Sequence, residues 1–181
     1  MLELKKIKWI TKFGIQNNSE RRNYSLSTQN VKEYIISLMI DNGWDVEIIS
    51  PTITLHDKGY YKSRTELLDN NLTVHSFATF GAKSKLGKKL SKIYSLLQLI
   101  YFLFSKVKVN ETVLVGHSLI YAAPIYIAKK IKKFRMILNL GEEYNKVIKG
   151  NKVYQWAEPR LIKSADKYIF ANDLMSELYN V

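Results

Sequence analysis

The sequence of 181 residues contains no cysteine, only three prolines and only eight glycines. The absence of cysteine excludes disulfide bonds, thiolate metal ligands and a cysteine nucleophile, and it fits a reducing compartment. Because 46% of the residues are hydrophobic and 24% are charged, the composition also excludes a chain that is disordered throughout. The length is that of one ordinary domain. We therefore expect a single domain over residues 1–181.

Long hydrophobic runs are also missing. The longest apolar stretch, Ile93–Phe104, has twelve residues and is interrupted by Ser95 and Gln98, whereas a membrane-spanning helix needs about 20 apolar residues. The segment Met1–Lys12 is charged along its length and lacks the apolar centre of a secretory signal. We therefore expect a cytoplasmic protein that touches a membrane without crossing it.

Acidic residues are scarce in one part of the chain. The sequence has 28 Lys and Arg against 16 Asp and Glu, a formal net charge of +12. Between Lys83 and Arg135 twelve basic residues face a single acid, Glu111, so +11 of the net charge lies within 53 residues. A localised basic segment is typical of a docking surface for an acidic partner. Anionic membrane, phosphorylated substrates and nucleic acid are the candidate partners.

Short apolar runs alternate with runs of helical periodicity along the sequence. The predicted strands are Ile7–Phe13, Asp45–Ser50, Leu72–Thr79, Glu111–Gly116, Met136–Leu140 and Lys167–Ala171. The predicted helices are Ser27–Asn42, Lys85–Val107, Leu119–Lys133, Lys152–Ser164 and one that begins at Asp173. Thr52–Asn71 is predicted to be an irregular surface segment. This alternation predicts an α/β fold with a doubly wound, mostly parallel sheet and helices on both faces.

The helix predicted over Lys85–Val107 carries two apolar stripes. The stripe expected to face the core follows the 3–4 spacing and consists of Leu86, Leu90, Ile93, Leu97, Ile100 and Phe104. The second stripe consists of Leu96, Leu99 and Leu103, so the helix is either buried on two sides or partly exposed to lipid.

Lysines are concentrated at the amino-terminal end of this helix. They are Lys83, Lys85, Lys88, Lys89 and Lys92. An anionic membrane surface attracts such residues by about 1 kcal/mol each, and we expect these five to dock the protein on it. The alternative is a helix packed against a partner domain, with its lysine-rich end in solvent.

Ligands of an open α/β sheet bind beyond the carboxyl ends of the strands. The loop Gly14–Asn23 follows the first predicted strand and contains Asn17, Asn18, Arg21 and Arg22. It matches neither the dinucleotide-binding nor the P-loop pattern. Two arginines before a helix suit a phosphate or a carboxylate, because guanidinium groups bind both in bidentate fashion. The alternative is a solvated loop without a ligand.

Two further strand ends carry candidate residues. His117 follows the fourth strand, between Gly116 and Ser118, where it is suited to act as a general base, to orient a substrate hydroxyl, or simply to hold a tight turn. Glu142 and Glu143 follow the fifth strand, and only one of them faces a site if the backbone is extended.

Some ligands are not expected. No His, Asp and Glu spacing matches a metal site, so no metal is expected. The aromatic residues are not interleaved with the basic ones and no nucleic-acid-binding motif is present, so nucleic acid is not expected as a partner.

Four segments in order resemble the acceptor-side, amino-terminal domain of bacterial family-4 glycosyltransferases of the GT-B fold, of the capsule or exopolysaccharide type. They are KIKWITKFGIQNNSERRNYSLSTQNVKEYIISLMIDNGWDVEIISP, TVLVGHSLIYAAPIYIAKK, MILNLGEEYNKV and AEPRLIKSADKYIFANDLMSEL. The resemblance covers almost the whole chain, and it rests on the order of the segments because no single one is diagnostic.

The resemblance implies a Rossmann-like domain that takes part in sugar transfer from a nucleotide-sugar to a glycan acceptor in polysaccharide biosynthesis. The acceptor of many such enzymes is linked to polyprenyl diphosphate at the inner face of the plasma membrane. The resemblance implies a catalytic role for His117. The acceptor or substrate contacts would come from Gly14, Asn17, Asn18, Arg21, Arg22, Ser118 and Glu142. No cofactor is implied apart from the nucleotide-sugar donor.

The sequence departs from the family in two respects. Only Gly14 stands where the family often has a pair of glycines after the first strand. The chain also ends where we expect the linker and the carboxyl-terminal donor-binding domain to begin, so this domain alone is expected to be inactive. The alternatives are a non-catalytic, membrane-docking acceptor subunit of a split glycosyltransferase and a basic α/β protein that binds a polyanion.

Overall fold

A computed structural model describes residues 5–15, 20, 22–54, 56, 58–116, 118–140 and 151–170. The chain divides into two compact units, Met1–Leu99 and Ile100–Val181. In the main sheet the strands Arg64–Asp69, Leu72–Ser76, Trp44–Ser50 and Lys5–Ile10 lie side by side in that order in the first unit, and Thr112–Gly116, Arg135–Leu140 and Lys167–Phe170 in the second.

The first unit contains most of the strands. Its elements are β1 (Lys5–Ile10), α1 (Leu26–Asp41), β2 (Trp44–Ser50), β3 (Tyr60–Tyr61), β4 (Arg64–Asp69), β5 (Leu72–Ser76), β6 (Thr79–Phe80) and the first part of α2 (Lys85–Lys106). β2 is parallel to both β1 and β5, whereas β4 pairs antiparallel with β5. β3 and β6 form a separate antiparallel pair.

The core of the first unit is built from consecutive apolar residues of its parallel strands. Trp9 and Ile10 of β1, Ile48 and Ile49 of β2 and Val74 of β5 are at most 1% exposed. Neighbours along β1 and β2 point to opposite faces of the sheet. Both faces are therefore covered, which explains why these strands lack an alternation of polar and apolar residues.

The second unit repeats the same plan with parallel strands. Its elements are β7 (Thr112–Gly116), α3 (Leu119–Lys132), β8 (Arg135–Leu140), α4 (Lys152–Ser164) and β9 (Lys167–Phe170). β8 is parallel to both β7 and β9. Helices α3 and α4 pack together, and the rings of Tyr126 and Trp156 meet edge to face at 5.7 Å.

The prediction of an α/β fold with a mostly parallel sheet is confirmed. The unalternating run Val113–Val115 is fully buried, as expected of a strand covered on both faces. The prediction of an irregular segment over Thr52–Asn71 was wrong, because β3 and β4 lie within it. β4 is an edge strand with mostly exposed side chains, and its charged residues conceal the strand pattern. The helix predicted from Asp173 lies outside the described residues.

Candidate functional site

A buried glutamine of α1 holds the loop after β1 in place. Gln29 of α1 accepts a hydrogen bond from the backbone N–H of Gly14 at 3.3 Å and donates one to the Gly14 carbonyl at 2.9 Å. A Cβ on Gly14 would stand 1.9 Å from Cε1 of Tyr24, so only glycine lets that ring approach. The structure thus gives Gly14 a packing role, and its predicted contact with substrate stays a prediction.

Arg22 fastens together the loops that follow three strands. Its guanidinium donates to the carbonyl oxygens of Thr52 at 3.0 Å and Phe77 at 2.8 Å. It also forms a salt bridge of 2.8 Å with Glu20, and the whole residue is 5% exposed. A backbone bridge between Arg22 and Thr54 extends this connection. These are the contacts of a residue that positions loops, and the predicted binding of a ligand anion by Arg22 stays a prediction.

A small cavity lies beside the loops that Arg22 fastens. Its volume is about 210 Å³. Its lining comes from the segments after β1, β2 and β6 and from the first turns of α2, namely Asn23, Ile53, Thr54, His56, Phe80, Ala82, Lys88, Ser91 and Lys92. The Ser91 hydroxyl donates to the Phe80 carbonyl at 3.0 Å, which holds α2 against β6. The cavity therefore opens at the strand ends where ligands of such sheets bind.

The two charged residues that line this cavity are both lysines. Lys88 and Lys92 line the cavity one helical turn apart, and neither forms an ion pair within the part of the chain that the structure describes. Burial lowers the pKa of Lys12, and the positive charge of Lys92 lowers it further. Burial and the charge of Lys12 lower the pKa of Lys32 to about 8. A row of lysines thus runs from α1 past the end of β1 to the cavity.

Helix α2 turns an apolar face to solvent. Leu86, Leu90, Ile93, Leu97 and Phe104 are between 37% and 67% exposed. Leu99 and Leu103 are fully buried, together with Ser91 and Ser95. The core-facing stripe predicted from the sequence was therefore the wrong one. Serine hydroxyls take part in the buried face, since Ser95 donates to the Pro51 carbonyl at 2.6 Å. None of the described helices is both long and apolar enough to cross a bilayer.

The five predicted docking lysines divide into two groups. Lys88 and Lys92 line the cavity, whereas Lys85 and Lys89 do not. Each of the latter two directly precedes an exposed leucine of the apolar face, Leu86 or Leu90. Lys83 stands before the helix begins, and all five are exposed. Spacing alone does not explain the division, because Lys85 and Lys88, like Lys89 and Lys92, are also three positions apart.

Of the remaining predicted site residues, the structure describes one. Ser118 precedes α3 with an extended backbone, and its carbonyl accepts a hydrogen bond from the N–H of Tyr121 at 3.1 Å. The other predicted site residues lie outside the described residues and remain predictions: Asn17, Asn18, Arg21, His117 and Glu142. Among the described residues no group of three His, Asp or Glu side chains is placed to hold a metal ion.

Sequence reasoning missed the cavity. His56, Lys88, Ser91 and Lys92 come from a loop and a helix that the sequence separates by more than thirty residues. The lysines were noticed for their charge, but nothing in their spacing distinguishes the pair at the cavity from the pair beside the leucines. The serines of α2 were the one indication of the cavity in the sequence. A polar residue at every fourth position of an apolar helix indicates that this face does not contact lipid.

The fold and the strand-end cavity define an α/β domain of Rossmann-like architecture. No protein family and no curated protein matches the sequence. Among solved structures, the chain is similar to α,α-trehalose 6-phosphate synthase from Burkholderia multivorans, a GT-B glycosyltransferase, with a TM-score of 0.53 and 8% sequence identity. The match covers 98% of this chain and 42% of that one. At this identity the likeness shows the fold, and the chain spans less than half of the length of the synthase.

Proposed function

We propose that this chain is the acceptor-side domain of a glycosyltransferase that acts on a lipid-linked glycan at the surface of an anionic membrane. The transferred sugar comes from a nucleotide-sugar that binds to a donor-side domain or subunit. The transfer is one step in the assembly of a polysaccharide. His117 acts at the reacting centre, and the loop Gly14–Asn23 with Ser118 and Glu142 contacts the acceptor.

The likeness in fold supports the sugar-transfer part of this proposal. A Rossmann-like domain hosts many activities, so the activity of the matched enzyme is what bears on sugar transfer. The synthase to which the chain is similar is itself a glycosyltransferase, and the alignment takes in nearly the whole of this chain. The match covers 42% of the synthase, which is the share expected of one domain in a two-domain enzyme.

One observation carries the membrane part, the exposed apolar face of α2 with lysines beside it. The helix sequence contains five lysines and no acidic residue. Helix α1 also exposes apolar side chains, among them Val31 and Leu38, but its charged residues are Lys32, Glu33 and Asp41. Lys32 is buried and Glu33 is half-buried, so the exposed charge of α1 is that of Asp41. Charge therefore selects α2, and not α1, as the face attracted to anionic lipid.

The membrane proposal is tested by flotation with vesicles of phosphatidylcholine, with and without phosphatidylglycerol. We expect the wild-type chain to float with the anionic vesicles. The double variant Leu90→Gln, Leu97→Gln should lose at least about 10-fold in partition, because two leucines no longer enter the lipid. The matched control Val31→Gln, Leu38→Gln removes exposed apolar area of similar kind from α1 and should float like the wild type.

The charge contribution needs its own pair of variants. Lys85→Gln, Lys89→Gln should weaken binding to anionic vesicles by about 10-fold or more, at about 1 kcal/mol per lysine. Lys152→Gln, Lys163→Gln neutralises two exposed lysines of α4 and serves as control. Equal binding to neutral and anionic vesicles, or equal losses in both lysine pairs, would contradict a docking face on α2.

Sugar transfer is tested in the source cells. Deletion of the gene should remove one product formed when membranes are incubated with labelled nucleotide-sugars, and expression of the wild-type protein should restore it. His117→Ala should fail to restore the product although the protein accumulates normally. An unchanged set of labelled lipids after deletion would refute the proposed transfer without affecting the vesicle result.

A further inference from the structure

We infer that the cavity lined by Lys88, Lys92 and His56 binds a diphosphate group, that of the lipid-linked acceptor. The binding of a diphosphate rests on the cavity itself. Its assignment to the acceptor rests on the proposed function.

The size of the cavity favours a small group. About 210 Å³ is below the range of roughly 300–1,000 Å³ in which whole drug-sized ligands are buried. A nucleotide-sugar is therefore too large to be enclosed here. A phosphate or diphosphate fits, with the rest of its molecule extending into solvent or toward lipid.

The lining favours an anion. Lys88 and Lys92 supply two ammonium groups, and the side chains of Asn23 and His56 supply further polar groups. None of the described lining residues is acidic. Ammonium groups bind phosphate as point charges, and neutral donors around them fix its orientation.

The neighbouring lysines make the unliganded arrangement unfavourable. Lys92 and Lys12 repel each other, as do Lys12 and Lys32. Lys32 donates to the Lys12 carbonyl at 2.6 Å, which holds its ammonium group in this row. Within the described residues none of these lysines has an acidic partner. Because like charges held close together are destabilising, a bound polyanion would relieve the repulsion.

Hydrogen bonds tie together the described parts of the loops around the cavity. Arg22 joins the segments after β2 and β5, and the backbone N–H of Asn23 donates to the Ile53 carbonyl at 2.8 Å. The N–H of Thr54 donates to the Thr79 hydroxyl at 3.1 Å. A preformed site loses less ordering entropy on binding than a mobile one.

The position of the cavity on α2 connects it with the membrane proposal. Lys88 and Lys92 belong to the same turns of the helix as Lys89 and Leu90, which lie on the exposed face. A diphosphate at the head of a lipid would reach this cavity while its prenyl chain remained in the bilayer beside α2. The geometry thus serves a lipid diphosphate better than a free nucleotide.

The experiment measures binding to the wild-type chain by calorimetry. The three probes are inorganic pyrophosphate, a short-chain prenyl diphosphate below its micellar concentration, and a uridine diphosphate sugar. We expect pyrophosphate to bind and the prenyl diphosphate to bind at least as tightly. Lys88→Gln, Lys92→Gln should weaken both at least about 10-fold, since two charged hydrogen bonds to phosphate oxygens are lost. Lys85→Gln, Lys89→Gln should leave pyrophosphate binding unchanged.

Three results would overturn the inference. They are no pyrophosphate binding at millimolar concentration, equal losses in the two lysine pairs, and a crystal structure with pyrophosphate bound elsewhere. Tighter, Lys88-dependent binding of the nucleotide sugar would overturn the assignment to the acceptor. These outcomes are separate from those of the gene deletion, so a true diphosphate site and a failed transferase proposal can be told apart.

Discussion

The Arg22 guanidinium donates a 2.8 Å hydrogen bond to the carbonyl oxygen of Phe77, a residue 55 positions away in the chain. The same guanidinium bonds to the Thr52 carbonyl and to Glu20, all in the interior of the first unit. One side chain therefore sets the relative positions of three loops at the carboxyl ends of the strands. The cavity depends on those positions.

Replacement of Arg22 by Met should destabilise the chain strongly. Removal of one partner of a buried ion pair leaves the other charge uncompensated, at a cost of about 3–5 kcal/mol. Here that charge is Glu20, whose side chain is 10% exposed and keeps Arg64 as a partner at 3.6 Å, so we expect a loss near the lower end of that range. The free energy of unfolding in urea measures the loss. The double variant Glu20→Gln, Arg22→Met should recover part of it, and a loss in Arg22→Met below about 1 kcal/mol would contradict the positioning role.

The two faces of α2 should respond differently to truncation. Leu103 is fully buried, so Leu103→Ala should lower the free energy of unfolding by about 2–5 kcal/mol. Leu97 is 57% exposed, and Leu97→Ala should change it by at most about 0.5 kcal/mol. Urea denaturation of both variants checks the assignment of faces. Comparable losses would mean that the apolar stripe is buried in solution.

The pH dependence of stability should reveal Lys32. Burial and the charge of Lys12 lower its pKa to about 8 in the folded chain, below its ordinary value of 10.5. Between these two pH values the unfolded state binds more protons at this residue, so its titration makes the fold more stable as pH rises. Lys32→Met should lack this gain. The unfolding free energy of the wild type minus that of the variant is therefore expected to rise from about pH 8 to 10.5.

A second variant separates the causes of this shift. Lys12→Met removes one of the two contributions, so the rise in stability should begin at a higher pH than in the wild type. Urea denaturation at a series of pH values measures all three proteins. A difference between wild type and Lys32→Met that does not vary with pH would contradict the lowered pKa.

Much of the fold could be read from the order of patterns. The run Val113–Val115 is apolar without alternation because both faces of β7 are covered, and such a run predicts a parallel strand directly. The helix α4 was predicted with its observed bounds, Lys152–Ser164, and Asn151 accepts hydrogen bonds from Val153 and Tyr154 at its start. Local chemistry decides such features, so the sequence suffices for them.

The sequence pattern did not predict which face of a helix is buried. In α1 the buried residues are Gln29, Lys32 and Ile36, while the apolar residues Val31 and Leu38 are exposed. Gln29 is buried because its amide completes the hydrogen bonding of Gly14. A buried polar group is stable only with its partners in place, and those partners lie fifteen residues away. Periodicity does not detect them.

Composition and local order establish the α/β class, the concentration of charge between Lys83 and Arg135, and the absence of disulfide chemistry. Which lysines of α2 line a cavity and which accompany exposed leucines is evident from the tertiary structure alone. Helical spacing gives the relative faces of a helix, but the face that meets the core is fixed by packing with distant residues such as Pro51 and Phe80.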